Sequence, residues 1–177
     1  MRDRYGRHKF GQGTLLARCL HGARCAAGHR LLERRGSLRR LGPALSQPRA
    51  ACHPWPRRWI APFRLLDDLQ DRGLLDETLV VWMGEFGRAP LIEREGGRGH
   101  WARCYSVVLA GAGIKPGIVH GRSDRHAAYP VDGAVTPQDV VTTMYHCLGV
   151  PTDTELSDAL GRPYKLCQGR TIQPVLE

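Results

Sequence analysis

The sequence predicts an α/β fold, and three features carry that reading. Phe63, Leu65, Leu66 and Leu69 recur at helical spacing, with an apolar β-branched run close behind at Thr78-Leu79-Val80-Val81-Trp82-Met83. A second run, Tyr105-Ser106-Val107-Val108-Leu109-Ala110, has the same character, and a capped helical pattern begins at Thr136. A helix, a short link and a buried strand make half of an α/β unit.

The first helix runs from Phe63 to Gly73, with Asp67, Asp68 and Asp71 on its solvent face and Gly73 at the left-handed position that ends it. The run 78–83 ends at Gly84 and suits a strand covered on both faces. The run 105–110 closes on Gly111-Ala112-Gly113, and residues 114–133, rich in Gly, Pro and Asp, are expected to be loop. Thr136-Pro137-Gln138-Asp139 supplies an N-cap, a proline in the first turn and an acid at the third helical position. Val140, Val141, Met144, Tyr145 and Leu148 then share a face, so a helix spans Pro137 to about Leu148 and stops at Gly149. Pro151 to Glu177 reads as turns with one short helix near Glu155–Leu160.

Residues 21–62 behave differently, mixing Arg, Ala, Pro and Gly without holding a period of 2.0 or 3.6. Residues 1–60 contain 14 Lys and Arg against 2 Asp and Glu, whereas 61–177 contain 12 against 15, so the net charge of +9 belongs to the first third. No apolar stretch reaches the roughly 20 residues of a membrane span, and the N-terminus lacks the apolar run of a signal peptide. A cytoplasmic chain with no membrane partner is expected. Cys19, Cys25, Cys52, Cys104, Cys147 and Cys167 form no CxxC pairs and read as free thiols.

A family resemblance rests on several motifs in order. Gly84-Glu85-Phe86-Gly87-Arg88-Ala89-Pro90, Gly97-Arg98-Gly99-His100-Trp101 and the run Cys104 to Ile114 resemble a bacterial family known as domain of unknown function 1501. Tyr129-Pro130, Val135-Thr136-Pro137, Tyr145-His146-Cys147-Leu148-Gly149 and Leu160-Gly161-Arg162-Pro163 extend the likeness almost to the end. Residues 1–20, through Arg4-Tyr5-Gly6 and Lys9-Phe10-Gly11-Gln12, resemble a family segment that normally lies upstream. The family looks like a branch of the alkaline phosphatase and sulfatase superfamily. The resemblance implies a partial alkaline phosphatase-like sandwich over 63–177, an incomplete and mostly parallel sheet with flanking helices, preceded by the irregular basic segment 21–62.

The resemblance also implies hydrolysis of phosphate or sulfate esters at metal ions held by Asp and His. Glu85, after the 78–83 strand, and His100, before the 105–110 strand, occupy ligand places in the superfamily pattern. Carboxylate oxygen and neutral imidazole suit Zn²⁺ or a similar divalent ion, which polarises an ester and helps ionise a nucleophile. Arg88 is the substrate-binding candidate, its planar fork suited to an anionic ester oxygen. No catalytic nucleophile is identifiable. Two departures stand out: family members usually carry Gly-Arg-Asp-His-Trp where this chain has Gly97-Arg98-Gly99-His100-Trp101, and no Asp-Thr-His occurs in 21–62. Family-like sequence on both sides of an unpatterned window suggests that 21–62 was translated out of frame.

The expectation is a fragment or degenerate member of a metal-dependent ester hydrolase family, not catalytically competent as this chain. The alternative is a non-catalytic binding or assembly module with a basic N-terminal segment, prone to self-association through sheet edges. Family members are often exported. The basic first third lacks interleaved aromatics and any recognised nucleic-acid motif, which argues against a nucleic-acid partner. His21, Cys25 and His29 would share a helical face with Cys19 nearby, but Gly22 and Gly28 disfavour that helix and the spacing matches no zinc finger. Trp82 and Trp101 read as packing residues, and His120 and His126 carry no family role.

Overall fold

A computed structural model describes residues 1–22, 55–94 and 96–177. The chain divides into two compact units, Met1–Leu75 with Arg88–His100, and Asp76–Gly87 with Trp101–Glu177. Most of the segment 21–62, including Cys25 and His29, lies outside the described residues, but residues 55–62, expected to be irregular, are helical, so the helix expected from Phe63 begins at Trp55.

In the first unit, α1 (Arg2–Tyr5) and α2 (Lys9–Gly22) pack with α3 (Trp55–Gln70). The buried stripe of α3 includes Ala61, Leu69 and, against the sequence expectation, Asp68. Only Asp67 and Asp71 of the three acids face solvent, because Asp68 falls between Leu65 and Leu69 on the stripe that meets the N-terminal helices. Tyr5 closes over this stripe and donates its hydroxyl to Asp68 Oδ2 at 2.8 Å, while Arg18 Nε lies 3.2 Å from the same oxygen. The helix ends as expected: Gly73 adopts φ 63°, Leu74 N–H donates to Leu69 O and Gly73 N–H to Gln70 O, which is the Schellman pattern.

In the second unit, β1 (Val80–Met83) pairs with β4 (Val107–Ala110), Val80 opposite Ala110 and Met83 opposite Val107. The pairing is antiparallel, which corrects the expectation of a mostly parallel sheet. A parallel pair needs a crossover connection, usually a helix. Here the chain between β1 and β4 instead goes out along β2 (Gly87–Arg88) and returns along β3 (His100–Trp101), which pair with each other. The described sheets are all two-stranded. The run 78–83 was expected to be covered on both faces, yet Met83 is 43% and Val108 50% exposed, and they sit on opposite faces of the ribbon. The architecture is therefore mixed α and β, with small antiparallel sheets in place of the expected sandwich.

Residues 114–133, expected as loop, contain the hairpin β5 (Arg122–Ser123) and β6 (Pro130–Asp132). The helix α4 (Pro137–Cys147) starts where the sequence placed it: Thr136 Oγ1 accepts from Asp139 N–H and Asp139 Oδ2 accepts from Thr136 N–H, a reciprocal capping box. Thr143 Oγ1 donates to Asp139 O and accepts from Ile172 N–H, which ties α4 to the C-terminal segment. The short helix expected near Glu155–Leu160 is instead β7 (Glu155–Ser157), paired with β8 (Pro163–Lys165). Asp158 Oδ1 accepts from both Leu160 N–H and Arg162 N–H, and Gly161 has φ 77°, so a turn closes the hairpin where a helix would have to continue. The buried apolar residues of this unit are Ile114, Val140, Cys167, Ile172 and Leu176.

Candidate functional site

Glu85 stands in the bend between β1 and β2 and is exposed. It belongs to the second unit, whereas Arg88 and His100 belong to the first. Arg88 ends β2 and His100 opens β3, so these two lie on paired strands, both exposed. The chain is held close here: a Cβ on Gly87 would meet Cys104 O at 2.1 Å, so the backbone approach requires glycine. Trp101 packs as expected, its ring edge-on to Tyr129 at 5.6 Å and its indole N–H donating to Ala128 O at 2.6 Å.

The residue that organises this hairpin is Arg98, which the sequence reading did not single out. Its Nη1 donates to Ala89 O at 2.8 Å and to Pro90 O at 2.5 Å. Ala89 N–H donates to Gly99 O, and Glu93 N–H to Gly97 O. Arg98 is thereby committed to the backbone of the opposite arm.

Glu85 and His100 are two donors, and they belong to different units. Zinc sites take three or four protein ligands, and Glu85 with His100 supplies two. Gly99 stands where the family resemblance leads one to expect a carboxylate, and glycine offers no side-chain ligand. Among the described residues no group of three or more His, Cys, Asp and Glu side chains is arranged to hold an ion. The backbone at Gly99 does not demand glycine, since its φ lies outside the left-handed region and a Cβ there would meet only the Glu93 carboxylate tip, at 2.9 Å.

The second unit contains a cleft of about 400 Å³ lined by Asp76, Glu77, Ala112, Gly113, His146 and Cys147, among others. None of Glu85, Arg88 and His100 lines it. His146 and Cys147, read from sequence as helix-lining residues, end α4 beside this cleft, and burial pushes the Cys147 thiol pKa up, which keeps the thiol protonated. The one sequence signal for the cleft is the turn Gly111-Ala112-Gly113, where all three residues have positive φ, Ala112 at 30°. His126 Nε2 accepts from Arg125 Nε at 2.8 Å, and His120 is exposed in the loop before β5. The described cysteines, Cys19, Cys104, Cys147 and Cys167, are free thiols.

Neither the curated proteins nor the solved structures contain a match to the chain. Residues 61–176 match the model of a family described as Protein of unknown function (DUF1501). That span takes in β1 to β8, α4, most of α3 and the segments carrying Glu85, Arg88 and His100. The chain belongs to the DUF1501 family of proteins of unknown function.

Proposed function

We propose that this chain derives from a metal-dependent phosphate or sulfate ester hydrolase and is a degenerate or partial member of that line, without catalytic competence of its own. The observation that carries the reading is the segment Gly97-Arg98-Gly99-His100-Trp101, which keeps the family's arginine, histidine and tryptophan and replaces the carboxylate between them with glycine. The resemblance to the alkaline phosphatase and sulfatase superfamily supplies the reaction class. Glu85 and His100 are then vestigial ligands, and Arg88 a vestigial contact for the anionic ester.

The test is turnover of aryl phosphate and aryl sulfate by the purified full chain, with and without Zn²⁺ or Mn²⁺. The expected result is no metal-dependent hydrolysis above the rate of free metal ion. Hydrolysis lost on Glu85→Gln or His100→Ala would overturn the degenerate reading in favour of a working enzyme.

A second reading, a non-catalytic binding or assembly module, is favoured by the β1–β4 ribbon. Every residue of both strands is apolar, the described partners leave both outer edges open, and Met83 and Val108 are half exposed. Light scattering behind size-exclusion chromatography tests it, with concentration-dependent association expected and a monomer at all concentrations counting against it.

A further inference from the structure

We draw no further inference here: the strongest candidate, the cleft of the second unit lined by Asp76, Glu77, His146, Cys147 and Glu177, is an acidic cluster, and among the described residues neither a metal-holding group of side chains nor a buried unpartnered polar atom lies on its wall to say what it would bind.

Discussion

Replacing Asp68 with alanine should release the N-terminal helices from α3. The Asp68 side chain is 6% exposed, accepts the Tyr5 hydroxyl at 2.8 Å, and lies 3.2 Å from Arg18 Nε and 3.4 Å from Arg72 Nε. The Arg18 side chain is itself only 10% exposed, so removing its partner strands a buried charge, which costs about 3–5 kcal/mol. Arg72, 42% exposed, is rehydrated and adds at most about 1 kcal/mol. The Tyr5 hydroxyl loses its acceptor as well, for about 1–3 kcal/mol if no water replaces it. All three contacts share one carboxylate and do not add, so the expected loss is about 3–5 kcal/mol in total.

Amide hydrogen exchange reads that loss locally. Exchange in α2 and α3 should accelerate by roughly two to four orders of magnitude, while α4, in the other unit, keeps its protection. Asp68→Asn, which retains an acceptor for Tyr5 but no charge for Arg18, should fall between wild type and Asp68→Ala. Exchange in α2 and α3 within about tenfold of wild type for Asp68→Ala would refute the reasoning, because the ion pair would then be holding nothing.

Three further outcomes follow from the same geometry. Burial and the Asp68 carboxylate push the Tyr5 hydroxyl pKa up to about 12, so its share of stability is intact below the unfolded value of about 10 and lost as pH rises through 12. Alkaline titration of unit-one stability should show this loss in wild type and not in Tyr5→Phe. The N–H groups of Arg170 and Thr136 and the Thr136 hydroxyl hold the Asp139 carboxyl below its ordinary value; its contribution is present above about pH 4 and lost as pH falls through the lowered folded value. Asp139→Ala should cost about 1–2 kcal/mol in urea unfolding at neutral pH and little once the carboxyl is protonated. Gly99→Asp should leave circular dichroism unchanged, since only the far end of the Glu93 side chain meets the new Cβ; lost helical signal would show that the backbone there does require glycine.

What the sequence made legible were the features decided within one helical turn. Thr136 with Asp139, and Gly73 and Gly149, set the helix ends through local caps, and each stands where the sequence placed it. Strand direction was not legible, because the apolar run 107–110 reads alike from either end and its antiparallel pairing depends on the chain folding back between Gly84 and Ser106. Nor was the burial of Asp68, whose partner Tyr5 lies 63 residues away and leaves no mark on the local pattern of α3. At the site, the family motifs singled out Glu85, Arg88 and His100, but no motif says which compact unit each will join. The brace from Arg98 to Ala89 and Pro90 was hidden because a glycine-flanked arginine in a loop looks the same whether it faces solvent or its own backbone.

The family match begins at residue 61, inside α3, yet what α3 buries is not confined to the matched span. Tyr5 and Arg18 both lie outside it, and both engage Asp68 inside it. An ion pair between two nearly buried groups is tolerated only when each is present, because either alone is stranded in a poor dielectric. A cut at the edge of the match would therefore not release a ready-made domain. It would leave Asp68 without Arg18 and without the Tyr5 hydroxyl, and would expose the stripe of Ala61 and Leu69. The edge of the similarity and the edge of the packing unit differ, and the N-terminal segment, outside the match, is what α3 packs against in this chain.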